Sequence, residues 1–151
     1  MMRWYSSVLY GLDEKPLWPP KPQQVIYRFT WMRSFHDQVS ITMDVQRQGD
    51  AQLRLHVYRG ALQQLETSTQ TLSKQQVGWV VSLIEGTNFW KMTTEGEGPQ
   101  GMDGAEWVLE GVRGGQYHIV TRWNASRTPF GKALLELLQL SNYNPPKNEI
   151  Y

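Results

Sequence analysis

The sequence predicts an α+β fold, in which an antiparallel sheet of five or six strands has two helices packed on one face. Three segments of alternating apolar and polar residues come first, and a helical segment, a pair of alternating segments and a second helical segment follow. This order favours antiparallel strands with segregated helices over a parallel sheet wrapped by alternating helices. The length of 151 residues suits one domain, and no internal repeat divides the chain.

Three strands are predicted in the first part of the chain, over residues 24–35, 38–47 and 51–59. In each of them apolar residues alternate with polar ones, as in a sheet that has one buried face. A two-residue turn between the second and third strands would mix these faces, so we expect a loop of three or five residues there. A further strand near 62–70 is possible, although its alternation is poor.

Capping residues mark two helices. The first is predicted over 73–85, where Ser73 and Gln76 form a capping box and apolar residues follow at i, i+3, i+4 and i+7 spacing. The second begins with Thr128 as its N-cap and Pro129 in its first turn, and it carries leucines on one face. The two apolar faces can therefore cover the same side of the sheet.

The most informative segment is a predicted hairpin over 104–123. A two-residue loop at Gly114 and Gly115 would mix apolar and polar side chains on both faces, whereas a three-residue loop that includes Arg113 separates them. We therefore expect the three-residue loop. In that register one face collects Trp107, Leu109, Tyr117, Ile119 and Trp123, on the side of the helices.

The opposite face of the hairpin then carries four polar side chains, with Glu106 across from Arg122 and Glu110 across from His118. A carboxylate that orients an imidazole is a geometry used in general acid–base catalysis, and Arg122 on the same face can hold an anion. Ordinary cross-strand polar pairs on a solvated sheet face have the same geometry without any catalytic role. We favour this structural interpretation of the four side chains. The expected open face also displays Arg28, Thr42, Asp44, Arg54, His56 and Tyr58.

Composition argues against several classes of partner and cofactor. With 15 Lys and Arg against 14 Asp and Glu, and no run of like charge, we expect no nucleic-acid partner. The absence of cysteine excludes disulfides and thiolate metal sites, and the three histidines lack the spacing of metal ligands. The glycine-rich stretch leads into a strand and not into a helix, so we expect no phosphate-binding loop. We also expect no cofactor and no metal. No signal-like or membrane-spanning apolar run is present, so we expect a cytoplasmic protein without a membrane partner.

The expected divisions are a proline-rich N-terminal arm over 1–23, a single α+β domain over 24–142 and a C-terminal tail over 143–151. A glycine-rich, mobile loop is expected over 92–104. Most of the seven tryptophans are expected in the core. Trp4 and Trp18 are different because an arm has little core to offer them, and they either fold back as a staple or anchor a partner.

Motifs in the second half of the chain resemble a widespread family of small bacterial proteins to which no activity is attached. The residues that carry the resemblance are Phe89-Trp90, Gly101–Gly111, Gly115–His118, Arg122-Trp123 and the closing ALLELLQLS. The pattern GxDGxxWxLEG…GxYHxVxRW summarises them, and the resemblance spans roughly residues 25–141. It implies a single α+β domain. This chain has Thr121 where the relatives often have Asp, which argues against a necessary acid at that position.

Small α+β bacterial proteins that are rich in surface aromatics and lack a catalytic signature often serve as immunity partners of secreted toxins. By this analogy we expect a non-catalytic module that neutralises a cognate toxin by occluding its active site. The acidic residues can mimic a phosphate-rich substrate. The candidate partner-binding residues are Trp4, Trp18, Glu95, Glu97, Asp103, Glu106, Glu110, His118 and Arg122.

Two alternatives stay open. One is a small-ligand-binding protein or an enzyme that uses Glu110, His118 and Arg122 on the open sheet face. The other is a structural subunit whose sheet edge pairs with itself, and the oligomeric state is left open.

Overall fold

A computed structural model describes residues 2–98 and 100–151, and in them one six-stranded antiparallel sheet organises the chain. The elements in chain order are α1 Met2–Gly11, β1 Val25–Arg33, β2 Gln38–Val45, β3 Ala51–Arg59, β4 Gln64–Leu72, α2 Lys74–Gly86, β5 Ala105–Arg113, β6 Gln116–Trp123 and α3 Pro129–Leu140. Short 3-10 helices lie at Phe89–Lys91 and Lys147–Glu149. The strands lie in the order β4-β3-β2-β1-β5-β6, so β1 and β5 are central.

Helices α2 and α3 pack on one face of this sheet, which confirms the predicted α+β class. The capping box of Ser73 and Gln76 is present at α2, and the Thr128 side chain accepts a bond from the Gly131 amide at α3. Between the helices and the strands lies a core of fully buried aromatic and aliphatic side chains. The rings of Phe29 and Trp107 stack there with their centroids 5.3 Å apart.

The connection between β2 and β3 confirms the expected loop length. Val45 pairs with Ala51, so the five residues 46–50 form the loop and both strands keep their apolar residues on the same face. Strand β4 is also present, and it lies at an edge of the sheet with most of its side chains exposed. Its weak alternation reflects this position, because an edge strand with little burial needs no strict pattern.

The hairpin between β5 and β6 has a different register from the expected one. Arg113 pairs with Gln116, so the loop is the two-residue Gly114-Gly115 turn. The φ angles of these glycines are +57° and +73°. Positive φ at both central residues is the signature of a type I′ turn, which follows the twist of the two strands and which glycine adopts without strain.

This register makes the predicted pairs of Glu106 with Arg122 and of Glu110 with His118 wrong. The two glutamates lie on one face of the sheet, whereas His118 and Arg122 lie on the face of α2 and α3. Trp123 is on the face of the glutamates and not on the helix side. The rule that separates apolar from polar faces failed because β5 is buried on both sides along almost its whole length.

The segment before β1 covers the second face of the sheet. Helix α1 contributes Tyr5 to a second apolar cluster with Met32 and Val108, and Leu12 after the helix is fully buried. The segment that was predicted as an arm thus begins with a helix and packs against β1 and β5. The prediction of an open polar face is wrong at the centre of the sheet, because the covering segment buries Arg28, Thr42, His56 and Glu110.

The C-terminal residues also fold back on the domain. The Trp107 indole Nε1 donates to the Tyr151 carbonyl at 2.7 Å, and Arg33 Nη2 donates to the Tyr143 hydroxyl at 3.0 Å.

Within the described residues no helix is both long enough and apolar enough to cross a membrane.

Candidate functional site

A buried carboxylate, that of Glu110, lies where β5 meets the N-terminal segment. Its Oε1 accepts a hydrogen bond from the Tyr117 hydroxyl at 2.8 Å. Its Oε2 accepts bonds from the Tyr5 hydroxyl and from Arg28 Nε, the latter at 2.8 Å, and Arg28 Nη2 lies 2.7 Å from the same oxygen. Two side chains of the sheet and one of α1 therefore fix the orientation of this carboxylate.

A second buried carboxylate, that of Glu14, comes from the extended stretch after α1. Its Oε1 accepts a bond from the Ser40 hydroxyl at 2.6 Å, and its Oε2 lies 3.3 Å from Arg28 Nη1. Arg28 also donates to the Lys15 carbonyl at 2.8 Å. Arg28 thus bridges two carboxylates and one backbone oxygen, and it attaches the N-terminal segment to β1 through charge-assisted bonds.

The two phenols and the guanidinium of this buried cluster have pKa values above their ordinary ones. Burial raises the pKa of Tyr5 well above its ordinary value of 10.0, and the charge of Glu110 adds to the effect. Burial and Glu110 likewise raise the pKa of Tyr117. Burial alone would lower the pKa of Arg28, but the electrostatic effects of Glu110, Tyr5 and Glu14 together outweigh burial and raise that pKa. Both phenols therefore stay neutral donors and the guanidinium stays charged.

A cavity of about 350 Å³ opens beside Glu110, between α1, the extended stretch and strands β5 and β6. Tyr10 and Trp18 stand at its mouth, where their side chains are 88% and 65% exposed. The Trp18 ring meets the Tyr117 ring edge-on, with the centroids 5.8 Å apart. The deeper lining includes Tyr5, Leu9, Glu14, Leu17, Glu110 and Ile119.

A second cavity, of about 450 Å³, lies across the stretch Glu14–Leu17 from the first. Its lining contains more basic than acidic side chains. The charged and imidazole groups are Asp13, Glu14, Lys15, Lys21, Arg28, Arg54 and His56. The N-terminal segment therefore separates two spaces, an acidic one beside Glu110 and a mainly basic one beside Arg28.

His118 and Arg122 do not join Glu110, so the predicted grouping of these three residues is wrong. The His118 Nε2 atom lies 2.9 Å from the Met92 carbonyl, and its ring stacks with that of Trp90. Arg122 donates to the Thr93 carbonyl at 3.0 Å, and burial lowers its pKa. Both side chains anchor the segment after α2 to the helix-side face of β6, so their contacts are structural.

The acidic candidates divide into exposed and buried residues. Glu95, Glu97 and Asp103 are exposed on the segment between α2 and β5. Glu106 is only 2% exposed, and burial raises its pKa. Its Oε1 lies 3.4 Å from Gln100 Nε2. A partner can reach the first three residues, whereas Glu106 is enclosed.

The glycine-rich segment over 92–104 is attached to the sheet, with Pro99 outside the described residues. The Thr121 amide of β6 donates to the Thr94 carbonyl at 2.7 Å. The Ser34 amide donates to the Gly104 carbonyl at 2.9 Å. Hydrogen bonds thus hold both ends of this predicted mobile loop.

Sequence reasoning placed Arg28 and Glu110 on one face but missed Tyr5 and Glu14. A signal for the helix was present, because Tyr5, Val8, Leu9 and Leu12 have the i, i+3, i+4 and i+7 spacing of a buried stripe. Glu14 precedes a run of prolines and gave no comparable signal.

Among the described residues no three His, Asp or Glu side chains are grouped in a way that could hold a metal ion.

The sequence matches no protein-family model, and no curated protein is significantly similar to it.

Proposed function

We propose that this chain is a non-catalytic protein-binding module whose binding surface lies on the N-terminal segment. We define the N-terminal surface as the exposed side chains of Trp4, Tyr10 and Trp18. The observation that supports the proposal is the exposure of these three large aromatic side chains, at 49%, 88% and 65%, on a segment whose other side is buried. Tryptophan and tyrosine are the residues most enriched among the energetic anchors of protein interfaces.

The attachment of this segment favours tight binding. Leu12 and Glu14 are buried, and the Arg28 bonds hold the stretch between α1 and β1 against the sheet. A surface that is already ordered loses less conformational entropy when a partner binds. The aromatic anchors are thus carried by a pre-organised support.

The finer proposal is that the partner is a bacterial toxin and that binding occludes its active site. The analogy with small α+β immunity proteins that are rich in surface aromatics supports it, and the exposed acids Glu95, Glu97 and Asp103 offer a second contact region for a basic active site. Glu106 contributes no surface charge to this proposal because it is buried. For His118 and Arg122, which bond to carbonyls of the segment after α2, we propose a supporting role in the scaffold.

Co-expression with the product of the neighbouring gene in the source organism tests the proposal. We expect a one-to-one complex that Trp4→Ala or Trp18→Ala weakens at least tenfold, since an anchoring aromatic contributes about 2 kcal/mol or more. Trp79→Ala is the matched control, because Trp79 is 55% exposed on α2, on the other side of the sheet. Equal affinities for all three variants, or no complex at micromolar concentration, would contradict the proposal.

A small-ligand-binding function is the second candidate. The predicted use of Glu110 together with His118 and Arg122 has no geometric basis, since these residues lie on opposite faces. Glu110 alone lies at a cavity, and that observation favours binding of a ligand group there.

A further inference from the structure

We infer that the cavity beside Glu110 binds an organic cation, namely an ammonium or guanidinium group on an aliphatic stem, supplied by a basic side chain of the protein partner. The source of the cation rests on the proposed function, whereas the binding of a cation rests on the cavity alone. At about 350 Å³ the cavity lies within the usual range of ligand sites, roughly 300–1,000 Å³.

The charged groups that line the cavity favour a cation. Its charged lining groups among the described residues are the carboxylates of Glu14 and Glu110. Arg28 pairs with both carboxylates and Arg54 lies 3.9 Å from Glu14, but these guanidiniums line the second cavity and not this one. A cation that enters beside Glu110 therefore meets carboxylates as the charged groups of the lining. An anion would meet the same carboxylates at close range and be repelled.

The Glu110 carboxylate has room for a further hydrogen bond. A carboxylate oxygen can accept about two hydrogen bonds. Oε2 accepts from Tyr5 and Arg28, whereas Tyr117 is the one donor to Oε1 among the described side chains. One acceptor position at Oε1 can therefore receive an N–H donor. A purely apolar ligand would exclude water from that oxygen and give nothing in return.

The lining between the mouth and the carboxylate suits an aliphatic stem. Leu9, Leu17 and Ile119 provide apolar surface for an aliphatic stem. The rings of Tyr10 and Trp18 at the mouth can attract a passing cation through their negative faces. Lysine and arginine combine such a stem with a cationic head, so their side chains match the cavity along its length.

Titration of the purified protein with three probes, followed by NMR, tests the inference. The probes are Nα-acetyl-lysine N-methylamide, its uncharged counterpart Nα-acetylnorleucine N-methylamide, and n-butylammonium. We expect the lysine derivative and n-butylammonium to shift the Trp18 indole signal, and the norleucine derivative to bind about tenfold more weakly. Equal binding of the lysine and norleucine derivatives, or no binding of any probe, would overturn the inference.

The same titration separates the two sources of the cation. If n-butylammonium binds and the lysine derivative does not, the cavity takes a free amine, and the assignment to a partner side chain is wrong. If both cations bind but no protein partner is found, the cation site stands and the proposed function fails. If a partner binds the wild type and Glu110→Gln equally well, the proposed function stands and the inference fails.

Two variants connect the binding to the cavity. Glu110→Gln removes the charge, and we expect it to reduce the affinity for n-butylammonium about tenfold. Because Glu110 also pairs with Arg28, Trp18→Ala is the second variant, since it leaves this ion pair in place and removes a side chain at the mouth that is 65% exposed. Followed at the NMR signals of Leu9 and Ile119, which also line the cavity, binding should weaken in Trp18→Ala and stay unchanged in Trp79→Ala. Unchanged binding in folded Trp18→Ala and Glu110→Gln proteins would contradict the site.

Discussion

Arg28 is the residue on which the buried polar cluster most depends. It is 1% exposed, and its guanidinium contacts Glu14 and Glu110 from opposite sides. Removal of one partner from a buried ion pair leaves an uncompensated charge, which costs more than the pair contributes as a whole.

We therefore predict that Arg28→Ala lowers the free energy of unfolding by about 3–5 kcal/mol. Arg28→Lys should lower it by less, because lysine keeps the charge but cannot reproduce the forked contacts. Urea denaturation of both variants measures the difference. A loss below about 1 kcal/mol for Arg28→Ala would mean that the two carboxylates are not held as described.

Glu106 provides a pH-dependent prediction. Burial is the main cause that raises its pKa above the ordinary 4.5, and the charge of Glu95 adds to it. The folded protein therefore holds this proton more tightly than the unfolded chain does. The free energy of unfolding then falls as the pH rises from about 4.5 through the raised pKa of the folded state, and it stays lower at higher pH.

Glu106→Gln removes this titration, so we expect the variant to be more stable than the wild type at neutral pH. The difference should shrink as the pH falls below the pKa of the unfolded glutamate. The exposed Glu97→Gln is the matched control, and it should have a much smaller effect. Thermal unfolding over a series of pH values measures both variants, and a Glu106→Gln protein that is less stable at neutral pH would contradict the assignment.

Among the secondary-structure elements, those with local signals were predictable. The capping residues Ser73 and Thr128 mark helices α2 and α3, and alternation marks β2 and β3, because each signal depends on residues a few positions apart. The β5–β6 hairpin also has a local signal, the Gly114-Gly115 pair of a type I′ turn, but the expectation of one apolar and one polar face outweighs it in the prediction. That expectation fails because α1, a helix about a hundred residues earlier in the sequence, helps to bury the second face of β5.

The same limit applies to the candidate site. Glu110 was identified from the hairpin, but its partners were not, because Tyr5 and Glu14 come from a segment that looked like a solvated arm. The expected three-residue loop pairs His118 with Glu110, whereas the two-residue turn pairs His118 with Gly111. A single fact about long-range packing, the position of α1, changes the partners of both residues.

Two helical glycines give a matched prediction on element stability. In α2, a Cβ added at Gly78 meets nothing within 4 Å, so Gly78→Ala should stabilise the protein by up to about 1 kcal/mol. In α3, a Cβ added at Gly131 would lie 1.8 Å from the Ala125 carbonyl oxygen, so Gly131→Ala should destabilise it. Thermal unfolding of the two variants should show shifts of opposite sign. A neutral Gly131→Ala would contradict the close approach of α3 to the preceding loop.

On the scale of the whole molecule, the sheet is enclosed from both sides by different means. Helices α2 and α3 bury an apolar face, whereas α1 and the stretch after it cover a face that carries ionised residues. The second covering leaves cavities beside the ionised groups and exposed aromatic side chains above them. The N-terminal segment is therefore the part of the molecule that we propose for recognition.

We propose that a protein partner binds the N-terminal surface. Hydrogen–deuterium exchange of the complex with the neighbouring gene's product measures this most directly. We expect the partner to protect amides in residues 2–18 and at the cavity residues of β5 and β6, while α2 exchanges as in the free protein. Protection confined to α2 or to the segment over 92–104 would contradict the claim.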